Sequence, residues 1–472
     1  MKSPGLERYA SKLQAQAAPV ALPSATPPSW DTDVLIVGAG WSGLAAAREL
    51  LDVGVRTTVL EARPTIGGRI RTDETSLSIP FDHGAAWVHS SDVNPLTPKA
   101  KAAGIALKET GLTSSLYIDG RKATPEELKQ YDETIEIFDG IIAEAAAKGF
   151  DGAVGKLLPM HLPFAKEAAA NLGPLDMGIS LDKLDVVDTG SQVMTGHDAL
   201  PKTGQLKLLE ATVGEVPVTT DTPVKKVKAV PGGYEVTAAN GDVLRARRVL
   251  LTVSTGVLAS GKIEFDPPLP AWKTAAIKSL PMGVLDKVAI EFDTNVFKTP
   301  DGHEQAIDEW VMVSSKDLGE PSAFLMRPFG ANVAVGFAGG DEALKLERKT
   351  NGELVEHYLS KLRAMFGPGI DAHVKQTVVT RWGQDPWTLG AYSYVKPGME
   401  GARQKLAQPI DDRLFFAGEA AAPADKAQMI HGAYESGRIA AAALVESLAR
   451  EDAALKALNR RQETLGFETV AQ

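Results

Sequence analysis

Residues 33–43 read Asp-Val-Leu-Ile-Val-Gly-Ala-Gly-Trp-Ser-Gly, and this stretch carries the strongest fold signal in the sequence. The apolar, β-branched run at residues 33–37 is typical of a buried parallel strand. The glycines that follow have the Gly-x-Gly-x-x-Gly spacing and precede an Ala- and Leu-rich segment, which favours a helix at residues 42–53. A second predicted strand at residues 56–61 completes a strand–helix–strand unit. The sequence therefore predicts an α/β fold with a Rossmann-type nucleotide-binding unit at its front.

Each glycine of this turn has a physical role in binding a dinucleotide. Gly38 permits the tight turn, Gly40 lets a pyrophosphate approach the backbone, and Gly43 lets the helix pack closely on the strand. The N-terminus of the helix then faces the phosphate charge. Glu61 ends the second strand, where an acidic side chain binds the ribose hydroxyls. A purely structural turn is the alternative, but the strand, the helix and the acidic strand end together favour a nucleotide.

Composition and charge narrow the class of protein. The 472 residues are enough for two large domains or three smaller ones, and 44% hydrophobic with 23% charged residues is ordinary for a globular chain. The net charge of −10 argues against binding nucleic acid. The chain has no cysteine, which excludes disulfides, thiolate catalysis and thioether-linked cofactors. No apolar run approaches the roughly 18 residues that span a bilayer, so we expect a cytoplasmic protein, and we expect no metal site.

Strand-like segments of similar character recur in the middle and at the end of the chain. Residues 216–253 contain short strands with a hairpin signal at Asn240-Gly241, residues 414–417 are apolar, and a last long helix is expected at residues 429–450. A helix at residues 125–148 and a broken helical stretch to about residue 190 lie between them. A discontinuous architecture follows, in which a second domain is threaded through the first. A short helix at residues 6–17 and a Pro-rich linker at residues 19–28 precede it.

Five further motifs carry a resemblance to a known family. They are residues 61–70 (Glu-Ala-Arg, then Ile-Gly-Gly-Arg-Ile), 81–89 (Phe-Asp-His-Gly-Ala-Ala-Trp-Val-His), 282–290 around Lys287, 381–394 from Arg-Trp-Gly to Ala-Tyr-Ser-Tyr, and 413–437 with Ala-Gly-Glu. Together with the glycine turn they resemble the flavin amine oxidases, which include monoamine oxidases, polyamine oxidases and a related histone demethylase. The polyamine and monoamine oxidases are the most similar in these motifs.

The resemblance implies a discontinuous Rossmann-type FAD-binding domain and a mixed-sheet plus helical substrate domain. The FAD-binding domain is expected at residues 31–90, 205–265 and 400–450. The substrate domain is expected at residues 91–204 and 266–399, between an N-terminal segment of residues 1–30 and a C-terminal tail of residues 451–472.

The resemblance also implies which residues contact FAD. Gly68 lets the chain pass close to the cofactor, and Arg69 offers a guanidinium fork to a phosphate. The helix that begins near Met429 is expected to point its N-terminus at the flavin. Ala391 stands where monoamine oxidases carry the cysteine that bonds the flavin, so FAD is expected to be non-covalent. The expected FAD contacts are Gly38, Gly40, Gly43, Glu61, Arg63, Gly68, Arg69, Ala86, Trp87, Val224, Trp387, Gly418, Glu419 and Met429.

The same resemblance assigns the chemistry to Lys287, Tyr392, His89 and Trp387. Lys287 matches the lysine that holds a water against the reactive flavin nitrogen, and the alternative is a solvent-facing strand position. Tyr392 matches one wall of the aromatic cage around the substrate amine. His89 is expected beside that amine, with a hydrogen-bonded structural histidine as the alternative.

The expected substrate contacts are Trp87, Tyr392, Tyr394 and Met429. Core packing is the alternative for Tyr394, and also for Trp382. Met429 takes the place of the second cage tyrosine of monoamine oxidases, which weakens the case for a strict monoamine preference.

The function implied is an FAD-dependent oxidase of a polyamine or of a primary or secondary monoamine. A hydride passes to the flavin, the resulting imine is hydrolysed to an aldehyde or ketone, and dioxygen becomes hydrogen peroxide. An L-amino acid oxidase is an alternative, although those enzymes place an arginine where this chain has Trp87. A demethylase-like flavoprotein acting on a basic peptide is another, and the acidic charge suits it. The expected partners are a small amine and dioxygen, and a homodimer stays open.

Overall fold

The computed structural model describes residues 29–110 and 114–464, and two large β-sheets organise them. The helix expected at residues 6–17 and the linker at residues 19–28 lie outside the described residues. The strands are β1 (Thr32–Val37), β2 (Thr57–Leu60), β3 (Thr72–Asp73), β4 (Phe81–Asp82), β5 (Leu107–Thr110), β6 (Ser114–Ile118), β7 (Arg121–Lys122), β8 (Asp198–Pro201), β9 (Val218–Thr219), β10 (Val224–Val230), β11 (Gly233–Ala238), β12 (Val243–Leu251), β13 (Glu264–Asp266), β14 (Leu285–Phe292), β15 (Glu309–Ser314), β16 (Ser322–Met326), β17 (Val333–Gly339), β18 (Val374–Val379) and β19 (Leu414–Phe416).

Helices cover the sheets and connect them. They are α1 (Trp41–Asp52), α2 (Thr97–Ala102), α3 (Pro125–Ala147), α4 (Ala165–Ala170), α5 (Val186–Gly190), α6 (Gln205–Val213), α7 (Thr255–Ala259), α8 (Ala271–Ser279), α9 (Gly340–Leu346), α10 (Asn351–Phe366), α11 (Ala402–Ala407) and α12 (Ile430–Thr464). Short 3-10 and π segments interrupt the chain between α4 and α5.

The first sheet contains the predicted strand–helix–strand unit. Its order is β13-β10-β11-β12-β1-β2-β9, and β19 also pairs with β12. β1 runs parallel to β2 and β12, with Leu35 opposite Thr58 and Val249. Val34 and Ile36 pack on the side of α1 and α12, while Leu35 belongs to the core on the other face. Both faces of β1 are therefore buried, which is why its sequence is continuously apolar.

The second sheet forms the other half of the molecule. Its order is β18-β14-β17-β16-β15-β6-β7, and its neighbouring strands are antiparallel except for the parallel pair β15 and β6. On one face Val288 and Ile290 pack with residues of α10, while Ala289 belongs to a core on the other face that includes residues of α3. Because side chains alternate along a strand, Lys287 points to the same face as Ala289.

Several helix boundaries agree with their sequence signals. Thr124 and Glu127 form a capping box at the start of α3, so the helix expected at residues 125–148 is confirmed to within one residue. The last helix is longer than predicted: it continues past residue 450 to Thr464. Glu451 anchors this extension, because its carboxylate binds Arg247 and Arg248 of β12.

The glycine turn and strands of both sheets line one cavity, and this cavity contains the site. The strands of the first sheet fall within residues 32–60, 218–266 and 414–416, and those of the second within residues 114–122 and 285–379. This arrangement confirms the predicted α/β class, whereas the domain boundaries themselves stay a prediction. Within residues 29–110 and 114–464, no helix combines the length and apolar character needed to cross a bilayer.

Candidate active site

A single long cavity between the two sheets brings together most of the residues predicted for the site. The predicted residues that line it are Gly38, Gly40, Glu61, Arg63, Gly68, Arg69, Ala86, Trp87, His89, Val224, Lys287, Trp387, Tyr392, Gly418, Glu419 and Met429. Two predicted residues, Gly43 and Tyr394, do not line the cavity. Gly43 lies behind the glycine turn, and Tyr394 is packed in the core beside the second sheet, 8% exposed. The core-packing alternative therefore describes Tyr394, and its expected substrate contact is not supported.

The nucleotide end of the cavity is built from backbone. Gly38 has a φ of 108°, which other residues rarely adopt, and Gly40 precedes the first turn of α1. A Cβ on Gly43 would lie 2.0 Å from the Gly38 carbonyl oxygen, so only glycine permits this close packing. The Glu61 carboxylate accepts hydrogen bonds from the Ala39 N–H (2.8 Å) and the Arg63 N–H (2.9 Å). The turn and the acidic strand end are thus fixed against each other.

Ion pairs hold the two arginines of this end in place. Arg69 Nη1 donates to Glu419 Oε1 (2.8 Å) and to the Ala391 carbonyl oxygen (2.9 Å). Arg63 Nη2 lies 2.6 Å from Asp385 Oδ1. One guanidinium nitrogen of Arg69 therefore already binds a carboxylate. The contact between Arg69 and a phosphate stays a prediction.

Glu419 connects the nucleotide end to a buried network. Its carboxylate also accepts from the Ser393 N–H (3.1 Å) and hydroxyl (2.7 Å), and Arg403 Nη1 donates to the same hydroxyl (2.9 Å). Arg403 is 1% exposed and pairs with Asp188 of α5. The strand end at Glu419 is consequently held by α5 and α11 together.

Two orphaned hydroxyl groups test whether FAD fits this cavity. Ser42 Oγ and Thr388 Oγ1 are buried, line the cavity and have no hydrogen-bond partner among the described residues. A buried hydroxyl without a partner is costly, so a polar ligand is expected to satisfy both. Ser42 lies in the first turn of α1, where backbone N–H groups and the helix dipole favour a phosphate. The residues present therefore fit a bound dinucleotide such as FAD.

Lys287 is buried in the middle of the cavity wall, and the solvent-facing alternative is wrong. Its side chain is 5% exposed, and Nζ donates to the carbonyl oxygens of Asp82 (2.8 Å) and Gly84 (2.6 Å). The rings of Phe81, Trp87 and Phe337 have centroids 5.6–5.9 Å from Nζ. Burial lowers the pKa of Lys287 to about 8, and the charge of Asp82 opposes that shift.

The amine end of the cavity lies around Tyr392. Its hydroxyl donates to the Asp176 carbonyl oxygen (2.5 Å), and burial raises its pKa well above the usual value. Met429 immediately precedes α12 and also lines the cavity. Trp87 Nε1 donates to the Thr110 hydroxyl (3.0 Å), which fixes the indole against the wall.

Titratable side chains cluster at this end. His89 Nδ1 lies 3.0 Å from Asp198 Oδ2, and the Asp176 carboxylate is open to the same cavity. Burial raises the pKa of Asp176 to about 6, with Asp198 and Asp139 adding to the shift and His89 opposing it. Burial disfavours the charged form of His89, but the hydrogen bond and charge of Asp198, with the charge of Asp176, raise its pKa overall. The carboxylates of Asp176 and Asp198 therefore favour binding of a cationic ligand at this end of the cavity.

Several of these groups escaped sequence reasoning. Asp176 follows an irregular segment and Asp198 begins β8, a strand that the sequence analysis does not predict, so only the fold identifies these two carboxylates. Trp382, for which core packing was an alternative, lines the cavity, and its Nε1 donates to the His83 carbonyl oxygen (2.9 Å). Trp387 lies toward the nucleotide end, because its backbone N–H donates to the Asp385 carboxylate, and that carboxylate binds Arg63.

Comparisons with known proteins agree with this geometry. The family model for flavin-containing amine oxidoreductases matches residues 41–171 and 177–445. The chain is 31% identical over 455 residues to polyamine oxidase 4 of Oryza sativa subsp. japonica. This alignment covers 88% of this chain and 88% of that relative. It is 32% identical over 459 residues to lysine-specific histone demethylase 1 homolog 2 of the same organism, covering 89% of this chain and 58% of that relative.

A solved structure shows the same fold. Putrescine oxidase, determined with putrescine bound, superimposes with a TM-score of 0.72 at 20% identity, covering 88% of this chain and 99% of that one. The glycine turn, the orphaned hydroxyls and the buried lysine thus occur in a chain that the family model matches over most of its length. The chain belongs to the flavin-containing amine oxidoreductases and is an FAD-dependent amine oxidase.

Proposed function

We propose that this enzyme oxidises a diamine or polyamine at a carbon next to nitrogen, giving an imine that water hydrolyses to an aldehyde or ketone. The observation that carries the proposal is the titratable cluster of Asp176, His89 and Asp198 beside Tyr392. A monoamine has one nitrogen, which must be uncharged to react, so it offers no cation to these carboxylates. A second, protonated nitrogen on the same molecule complements them.

The side chains around the reacting nitrogen have separate proposed tasks. Tyr392 and Trp87 provide aromatic walls that favour an amine and exclude water. His89, oriented by Asp198, is able to accept a proton from the incoming ammonium when it is neutral. Met429 offers an apolar surface where monoamine oxidases carry the second cage tyrosine. Tyr394 has no part in this proposal, because it does not reach the cavity.

FAD, when bound, accepts a hydride equivalent from the substrate and passes the electrons to dioxygen, which yields hydrogen peroxide. Gly38, Gly40, Glu61 and the orphaned hydroxyl of Ser42 would hold its nucleotide part, and Trp387 would contact the cofactor rather than the amine. Attachment is proposed to be non-covalent, since the chain has no cysteine.

Lys287 is proposed to stabilise negative charge and to move protons during the reaction with dioxygen. The two carbonyl acceptors fix Nζ, and the remaining N–H is free of those bonds in a residue that lines the cavity. A water held by that N–H would carry the proton. The cytoplasmic location stays a prediction, and a homodimer stays open.

An amine panel with matched pairs tests the proposal. Anaerobic bleaching of the flavin and aerobic release of peroxide are measured with diamines, polyamines and monoamines of equal chain length. We expect kcat/KM to be at least about 10-fold higher for the diamine, because one charge-assisted contact contributes roughly 1.5–3 kcal/mol. Equal values for the diamine and its matched monoamine would contradict the assignment of the cluster.

Two further compounds test the alternative functions, an L-amino acid oxidase and a demethylase. An α-carboxylated analogue of the best amine tests an L-amino acid oxidase, and we expect it to react poorly because its carboxylate meets Asp176 and Asp198. A methylated lysine in a basic peptide tests a demethylase, which the named relative makes a second candidate. The chain spans 58% of the length of that relative. Faster turnover of the peptide than of every free amine would replace our proposal with that candidate.

A further inference from the structure

Asp82 holds a buried carboxylate that the proposed chemistry does not use. It ends β4, is 8% exposed and accepts hydrogen bonds from the Thr72 hydroxyl (2.5 Å) and from the Gln205 N–H (3.1 and 3.2 Å). Gln205 is the first residue of α6, so the carboxylate lies at a helix N-terminus, where negative charge is favoured. On its own, this arrangement describes a helix cap.

The same residue also contacts Lys287. The Asp82 carbonyl oxygen accepts from Lys287 Nζ (2.8 Å), and the Gly84 carbonyl oxygen accepts a second hydrogen bond (2.6 Å). Both contacts of Nζ are neutral acceptors, so they orient the amine without balancing its charge. The Asp82 carboxylate is the negative group that acts on Lys287 through space. His83, between the two acceptors, is the other titratable neighbour, and Arg71 and Asp73 face it in turn.

We propose that Asp82 is a positioning residue that keeps the Lys287 amine charged inside the cavity. The importance of this charge for catalysis rests on the proposed role of Lys287 in the reaction with dioxygen. A buried ammonium is unstable unless an opposite charge lies nearby, and Asp82 carries its carboxylate on the same residue whose carbonyl oxygen contacts Lys287 Nζ. The hydrogen bond from the Gln205 N–H in turn fixes the Asp82 carboxylate, so Asp82 connects the N-terminus of α6 to Lys287.

The titration ranges of the two groups suit this arrangement. Burial raises the pKa of Asp82 to about 6, against the hydrogen bonds and the charge of Lys287, and it lowers the pKa of Lys287 to about 8. Between these values both groups are charged, and a charged Lys287 is the form able to donate a proton or to stabilise an anion. Below about pH 6, Asp82 becomes neutral and Lys287 loses its partner.

The charge of Lys287 is measured directly by NMR of holoenzyme carrying isotope-labelled lysine. The Lys287 resonance is identified by its loss in Lys287→Met. In Asp82→Asn, which keeps the size and an acceptor oxygen, we expect the Lys287 pKa to fall by about 1 unit. The pH profile of flavin reoxidation should move by the same amount and in the same direction. The matched control is Gln205→Ala, which removes the bond of its amide to the Ala86 carbonyl oxygen and leaves the Asp82 charge.

A second measurement needs no variant of Asp82 to fold. In the unmodified holoenzyme, the Lys287 resonance should show a smaller inflection near pH 6, where Asp82 titrates, and this inflection should persist in His83→Gln. An unshifted Lys287 titration in Asp82→Asn, or no inflection near pH 6, would overturn the inference. Because the NMR titration requires no turnover, it stays readable even where the amine panel or Lys287→Met disproves the proposed function.

Discussion

The two ends of the cavity are built in different ways. At the nucleotide end, Gly38, Gly40 and Glu61 lie within 24 consecutive residues of the sequence, and backbone groups form much of the surface. At the amine end, the working side chains come from remote parts of the chain, such as Asp176 and Tyr392. One end is therefore a local motif, and the other exists only in the folded protein.

The charges of the two ends differ as well. Glu419 pairs with Arg69, and Glu61 accepts two backbone hydrogen bonds, so both carboxylates already have partners within the protein. Asp176 has a pKa raised to about 6, because burial leaves its charge poorly compensated. A rigid, balanced end suits a cofactor that stays bound, whereas an unbalanced end gains most from a cation that comes and goes.

The largest effect is expected from Gly43→Val, which attacks the local motif. The new Cβ would lie 2.0 Å from the Gly38 carbonyl oxygen, so the turn must move and the nucleotide end is lost. We expect protein without FAD and without activity, measured by flavin absorbance and by titration with added FAD. Gly140→Val is the matched control, since Gly140 of α3 has open space around its Cβ position. A yellow, active Gly43→Val protein would show that the motif is not rigid.

Lys287→Met is expected to have the next largest effect, at the junction of the two ends. Methionine fills the apolar space between Phe81 and Trp87 but supplies no proton and no charge. We expect FAD to be retained and flavin reoxidation to slow by about 100-fold, within the range for one acid–base group. Stopped-flow mixing of reduced enzyme with dioxygen measures the rate. An unchanged rate with bound FAD would remove Lys287 from the reaction with oxygen.

The contrast between the ends also explains what could be predicted from sequence. Spacing, strand character and the acidic strand end of residues 33–61 were sufficient for the strand–helix–strand unit and the nucleotide end, because those signals are local. Tyr392 and Tyr394 would share one face of a regular strand, but residues 391–394 form none, and only Tyr392 reaches the cavity. Asp176 follows a π segment, and Asp198 begins a strand that sequence reasoning missed.

Asp176→Asn removes charge from the amine end alone. We expect kcat/KM to fall about 30-fold for diamines, because a charge-assisted contact becomes neutral, and to change little for matched monoamines. FAD content serves as the control and should not change. An equal loss for diamines and monoamines would contradict a contact between the Asp176 carboxylate and the second nitrogen.

The pH dependence gives the same prediction a second test. Below about pH 6 Asp176 gains a proton and loses its charge, so the apparent KM for a diamine should rise as the pH falls. The pKa of His89 is raised, so its protonation adds repulsion in the acidic range. Asp176→Asn should therefore reduce this rise without abolishing it. A KM that rises as steeply with acid in Asp176→Asn would place the whole effect on His89.

Tyr392→Phe is expected to have the smallest effect, and it separates the ring from its hydroxyl. Phenylalanine keeps the aromatic wall and loses only the hydrogen bond to the Asp176 carbonyl oxygen. One such bond contributes about 1 kcal/mol, so we expect at most about a 5-fold fall in kcat/KM for diamines and unchanged FAD content. Tyr392→Ala is the matched variant that removes the wall as well, and it should lose far more activity. If Tyr392→Phe were as inactive as Tyr392→Ala, the hydroxyl rather than the ring would be the group that serves the amine, and the amine end would depend on its hydrogen bonds as strongly as the nucleotide end does.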